Sequence, residues 1–233
     1  MKTLYSLALL GSIVLASNSV HAQSRSKARH KHSSRSTATT SFGVKGGISR
    51  AVLDGTINQG ADYKTGMHLG GFLRWRPSSH FAIQPEVTYS QQGSKNTIPL
   101  GSLDIVNTTK LSYLNVPILA KVYLGDAFNI QFGPQFGLLL AGRQVGQTGY
   151  TMSSGSATTY QTADLETTKN YKSDVALCAG LGLDLKSGFI LATRLNYGLS
   201  DIDNKSETQA ARKYLNLGGL HNRVMEVSVG YAF

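Results

Sequence analysis

YLNVPILAKVYLGDAFNIQFGPQFGLLL, residues 113–140, decides the fold. Leu114, Val116, Ile118, Ala120 and Val122 alternate with Asn115, Pro117, Leu119 and Lys121. Past Gly125-Asp126, Phe128, Ile130, Phe132, Pro134, Phe136 and Leu138 alternate with Asn129, Gln131, Gly133, Gln135 and Gly137. Two runs with a period of two, joined by a tight glycine turn, read as an antiparallel β-hairpin. One face is apolar, and the other is polar or small.

The same period extends outward in both directions. Segments beginning near Phe42, Met67, Phe81, Val175, Phe189 and Met225 repeat it, giving eight segments in all. Most reach nine residues, the length of a tilted strand crossing a bilayer. Tight turns at 77–79, 125–126 and 186–188 alternate with long polar stretches near 54–63, 93–109, 142–171 and 201–220. Short turns at one end and long loops at the other are the pattern of outer-membrane barrels. Trp75, Phe81, Phe128, Phe189, Tyr231 and Phe233, with Phe42, share the parity of the apolar face and cluster at the tight-turn end. They read as interfacial anchors, a girdle of rings at headgroup level. Alternation alone does not separate a barrel from a soluble sandwich; the alternating loop lengths and the girdle favour the barrel. The expected fold is all-β: an eight-stranded antiparallel transmembrane β-barrel with short periplasmic turns and long extracellular loops.

Composition agrees. The chain has 233 residues, 41% hydrophobic and only 15% charged, with 25 glycines and one cysteine. That is too apolar for a disordered chain, and the lone Cys178 excludes an intramolecular disulfide and a Cys-cluster zinc site. A mean hydropathy of −0.13 excludes a bundle of membrane helices.

The ends divide the chain. Residues 1–22 read as a signal peptide: Lys2, an apolar stretch from Leu4 to Ala16, and Val20-His21-Ala22 before the cut. Residues 23–41 read as a disordered basic, Ser-rich tail, with Arg25, Lys27, Arg29, Lys31 and Arg35 and no aromatic residue. An exported tail of this kind suits contact with anionic lipid or cell-wall polymer rather than nucleic acid, beside the plainer reading of a solvated linker. Residues 42–233 form the barrel domain. Its terminal Phe233, with Tyr231 on the same face, resembles the signal by which the barrel assembly machinery recognises its clients.

Parity points Lys45, Arg74, Glu86, Lys121, Asp184, Arg194 and Glu226 into the lumen as an interior charge network. Counted from the tight turns, Glu86, Arg194 and Glu226 lie at similar heights, so Arg194 can bridge Glu226 beside it and Glu86 opposite. An arginine between two acids keeps both ionised, which suits structure rather than acid–base catalysis. His68 is the one histidine well inside a segment, with Thr88 and Ser90 on the next. It is the centre of the alternative reading, a lipid- or peptide-modifying barrel enzyme. No G-x-S-x-G or H-E-x-x-H motif accompanies it. Cys178 reads as small inward filler. A second alternative is a narrow small-solute channel, although eight strands leave an interior that side chains fill.

FGVKGGIS at 42–49, GMHLGGFLRW at 66–75, FAIQPEVTYSQQGSK at 81–95, YLNVPILAKVYL at 113–124, FGPQFGLLL at 132–140, GLGLDL at 180–185, TRLNYGLSDI at 193–202 and VSVGYAF at 227–233 resemble the small PorT-like outer-membrane β-barrels. The resemblance implies an eight-stranded barrel in a Gram-negative outer membrane with both termini in the periplasm. One family member takes part in protein secretion, and most have no assigned activity. The basic tail is not part of the family pattern. Together these readings imply a non-enzymatic outer-membrane protein with a structural, interaction or secretion-accessory role. They call for no cofactor and no metal; outer-membrane lipid is the expected partner, and any extracellular partner is unspecified.

Overall fold

The computed structural model describes residues 38–55, 61–100, 103–151 and 157–233. The segment read as a signal peptide (1–22) and residues 23–37 of the segment read as a basic tail lie outside the described residues. The strands are β1 (Thr39–Asp54), β2 (Ala61–Ser78), β3 (Phe81–Leu100), β4 (Leu103–Leu124), β5 (Phe128–Thr151), β6 (Ala157–Glu166), β7 (Asp174–Asp184), β8 (Phe189–Gly198) and β9 (His221–Ala232). One helix, α1 (Ser206–Tyr214), lies between β8 and β9. β1 begins three residues ahead of the boundary expected at Phe42.

Eight strands close a ring in the order β1–β2–β3–β4–β5–β7–β8–β9, every pairing antiparallel, with Gly43↔Ala232 and Asp54↔His221 among the pairs that join the last strand to the first. Nine strands fill eight places because one place is split. β6 pairs with the far half of β5, up to Arg143↔Glu166, and β7 with the near half, from Gly137↔Asp174 to Phe128↔Leu183. Between them the chain steps aside through a single 3₁₀ turn at Thr168–Asn170. The Thr167 N–H donates to the Gly142 carbonyl at 2.8 Å, and the Gly142 N–H donates to Thr168 Oγ1 at 2.9 Å, which satisfies the backbone at the break.

Burial alternates along each ring strand, as in the BeBeBeieBeB pattern of β7. The apolar members face outward, and the large exposed hydrophobics include Ile48, Leu69, Phe132, Phe136, Leu195 and Val229. Such a surface in water would be a contiguous apolar patch far beyond what monomers expose. Around a closed ring with no free backbone edge, it is the surface that hydrocarbon requires. At the tight-turn end, Phe42 stacks on Phe233 at 5.3 Å between ring centroids, and Tyr231 meets Phe189 at 5.3 Å and Phe233 at 5.2 Å, both edge-on. Trp75, Phe81 and Phe128 are exposed at the same end of their strands. The turns there are short because Gly125 (φ 84°) and Gly188 (φ 91°) take a left-handed backbone that other residues resist.

The opposite end differs from the sequence reading. Residues 93–109 and 142–171, expected as loops, are largely strand. β4 has 22 residues and β5 has 24, against the 9–11 or so that cross a bilayer. The excess pairs as a β3–β4–β5–β6 ridge, with Ile98 opposite Ile105 and Thr97 opposite Val106. β-Branched residues that fit a pleated surface sustain it.

Leu69 is 68% exposed midway along β2. Leu69→Arg is expected to destabilise the barrel by about 2–4 kcal/mol in urea titrations carried out in lipid vesicles, the cost of a cation at the bilayer midplane. A cost within about 0.5 kcal/mol, normal for a water-facing position, would mean that this face does not touch lipid.

Candidate functional site

The lumen is filled by side chains in layers. Nearest the tight turns, Asp184 of β7 accepts from Lys121 Nζ (2.8 and 3.1 Å) and from the Tyr123 hydroxyl (2.6 Å), both on β4. Arg74 of β2 reaches the same carboxylate at 3.4 Å and donates from Nε to Gln84 Oε1 at 2.7 Å. Gln84 Nε2 donates onward to Glu86 Oε1 at 2.8 Å, which joins this layer to the next.

In the middle layer Arg194 of β8 lies between two acids. Its Nη2 and Nε donate to Oε2 of Glu226, the residue paired with it on β9, at 2.6 and 3.1 Å. Its Nη1 crosses the lumen to Glu86 Oε2 on β3 at 2.9 Å, where Lys45 Nζ of β1 also arrives at 2.6 Å. The structure therefore places the seven charges expected in the lumen in two joined clusters, each buried, while an eighth, Asp174, accepts from Asn222 at 3.0 Å apart from them. Four cations meet three carboxylates, and Gln84 and Tyr123 add hydrogen bonds to Arg74, Glu86 and Asp184. Sequence reading missed these two residues, although Tyr123 continues the inward parity of Lys121.

His68 is buried, and its Nε2 lies 2.8 Å from Ser228 Oγ on β9. Ser90 is its register neighbour on β3, yet the hydrogen bond goes across to Ser228 instead. A catalytic histidine needs a reacting group and a route for substrate; this one is enclosed between strands. Cys178 is buried, with Sγ donating to Gln135 Oε1 at 3.5 Å. Among the described residues no three His, Cys, Asp or Glu side chains gather closely enough to hold a metal ion.

Above the charged layers the lumen turns apolar. Leu53, Leu111, Tyr113, Ile202 and Leu220 form a buried cluster, with Leu139 and Tyr171 against it. This plug draws on β1, β4 and the β8–β9 connection. The Tyr113 hydroxyl donates to the Lys172 carbonyl at 3.1 Å, and the Leu220 N–H donates to Asp201 Oδ1 at 2.9 Å. Helix α1 is held over the plug by a buried ion pair between Arg212 and Asp203. Asp203 also accepts from the Lys205 N–H at 2.9 Å and from the Thr208 hydroxyl. Burial alone would raise the Asp203 carboxyl; the Thr208 hydroxyl, the Lys205 N–H and Arg212 outweigh it and hold the group below the usual carboxylate range.

The family described as outer membrane protein beta-barrel domain matches residues 21–204. No curated protein matches the sequence. Among solved structures, the attachment invasion locus protein Ail of Yersinia pestis is similar at 13% identity and a TM-score of 0.41, over 83% of this chain and 98% of that one. Neisserial surface protein A is similar at 12% identity and a TM-score of 0.39, over 84% and 99%. OprG of Pseudomonas aeruginosa is similar at 13% identity and a TM-score of 0.35, over 85% and 98%.

Arg194→Ala leaves Glu86 and Glu226 short of a buried partner. It is expected to cost roughly 3–5 kcal/mol, read as a lowered urea midpoint at unchanged slope; an unchanged midpoint would contradict the bridging role. For Asp203 the folded pKa is depressed. Its contribution is therefore complete above the unfolded value of about 3.9 and is lost as pH falls through the folded one. Amide protection of residues 206–214, corrected for intrinsic exchange, should hold down to about pH 4 and collapse below it, and Asp203→Asn should abolish that dependence.

Proposed function

This chain belongs to the outer membrane protein beta-barrel domain family, and from that premise we propose that it is a non-enzymatic, non-conducting scaffold of the Gram-negative outer membrane. Its working surface is the ridge of β3–β6 beyond the bilayer. The observation that carries the reading is the filling of the lumen. Two charged layers and an apolar plug occupy a barrel already narrow by strand number, while strand length is invested outside the membrane. The enclosed His68 and the paired acids give the enzyme alternative no open site. The plug likewise opposes the channel alternative.

Finer assignments belong to the same proposal. The blocks from FGVKGGIS to VSVGYAF favour a PorT-like member, hence an interaction or secretion-accessory role. Export by a signal peptide over residues 1–22 suits the outer-membrane address. β1 starts and β9 ends at the tight-turn end, which is consistent with both termini in the periplasm and with a tail that meets anionic lipid or cell-wall polymer there. The Phe233 N–H donates to the Phe42 carbonyl at 2.7 Å, which supports a role for the last ring as an interfacial anchor, and the same ring is offered as the assembly signal.

Planar-bilayer recordings of the refolded protein should show no conductance steps, while the same sample shifts mobility on gels after boiling. Partners co-purified from the native membrane should be lost when the ridge beyond the bilayer is trimmed. Discrete steps would overturn the non-conducting reading, and partners retained by the trimmed barrel would overturn the ridge as the working surface.

A further inference from the structure

On the outer wall of the barrel, at the end away from the tight turns, a crevice of about 360 Å³ is lined by Arg50, Tyr63, Leu195, Tyr197, Arg223 and Met225, among others. We propose that it binds a membrane lipid of the outer leaflet through its headgroup phosphate, held between Arg50 and Arg223, with an acyl chain along Leu195 and Met225. The proposal rests on the placement of the barrel in the outer membrane and adds a ligand that a scaffold role does not require.

Strand register assembles the site. Arg50 of β1 pairs with Met225 of β9, which pairs with Leu195 of β8; one row higher, Val52, Arg223 and Tyr197 align in the same way. Arg50, Tyr197 and Arg223 each stand eight positions along their strands from Phe42, Phe189 and Tyr231, the lower ring of aromatics. Eight residues span roughly 26 Å along a strand, about 20 Å of depth at the usual tilt. That places the two guanidinium groups at the far headgroup level, directly above an apolar wall.

Each guanidinium is backed by a ring. Arg50 lies 5.2 Å from the centroid of Tyr63, and Arg223 lies 3.5 Å from that of Tyr197. Cation–π contact orients an arginine without neutralising it. Arg223 is held further by Asp54 at 3.1 Å from Nη2, which compensates its charge, and by the Gly198 carbonyl at 2.7 Å from Nη1, so it gives the crevice a fixed donor while Arg50 brings the uncompensated charge. Arg50 is exposed and meets no carboxylate among the described residues, so its planar fork is available to a phosphate. An anchoring role alone would need only that long side chains reach the interface. Here the two arginines face one crevice whose lower wall is shaped by leucine and methionine.

The test is native mass spectrometry of the full barrel released from detergent, with dioleoyl phosphatidic acid as the probe and dioleoyl phosphatidylcholine as the comparison lipid. The wild type should retain one phosphatidic acid in preference to phosphatidylcholine. Arg50→Gln should weaken retention about tenfold or more, the loss of a charge-assisted pair, and Arg223→Gln should do the same. Arg143→Gln, on β5 above the bilayer, should retain it as the wild type does. Heat-modifiability of each variant checks that the barrel is folded. Equal retention of the two lipids, or unchanged retention by folded Arg50→Gln, would overturn the site. Displacement of the lipid by millimolar inorganic phosphate would identify a free anion as the ligand and overturn the lipid assignment.

Discussion

Hydrocarbon offers no hydrogen bonds, so each backbone N–H and C=O at membrane depth must find a partner within the protein. The pairing of β1 with β9 answers that constraint. Without it the sheet would present two open edges to lipid. With it, every other feature has a defined side: alternate residues face outward and are apolar, and those between them face a sealed interior. Even the break between β6 and β7 respects the rule, since the side chain of Thr168 and the carbonyl of Gly142 serve the backbone where the ladder stops.

An interior closed off from water can hold charge only if the charges satisfy one another. Here acids and bases come from strands far apart around the ring. Arg194 ties β8 to β9 and β3, and Asp184 gathers β2, β4 and β7. These ties work as cross-braces inside a cylinder whose wall alone has freedom to flatten. The apolar plug above draws on β1, β4 and the β8–β9 connection, so it ties both ends of the folded domain to its middle.

The period of two made the ring legible in the sequence, because lipid on one side and a narrow lumen on the other impose opposite demands on neighbouring residues. Where those demands cease, the signal ceases. In the ridge both faces meet water or each other, so Thr97, Ile98, Ile105 and Val106 are set among Gly, Ser and Asn without alternation and read as loop. Helix α1 was hidden for a related reason: nine polar residues with no side-chain cap at Lys205 carry no apolar period, and Asp203, just ahead of the helix, holds them through Arg212 and Thr208. Inward direction followed from parity, but the partner of His68 did not. Ser228 is 160 residues away, and it comes near because Gly47 of β1 pairs with both residues and has no side chain to stand between them.

Ring closure also governs how the molecule comes into being. Gly43 and Ala232 are paired, so the two edges that zip together belong to nearly opposite ends of the polypeptide. Closing that seam spans nearly the whole folded domain, and contacts so distant along the chain are reached slowly. The seam also brings Leu53 and Leu220 into the same buried cluster. Until it closes the nascent wall is an open, sticky sheet, which gives a physical reason for such a chain to need an escort on its way to the bilayer.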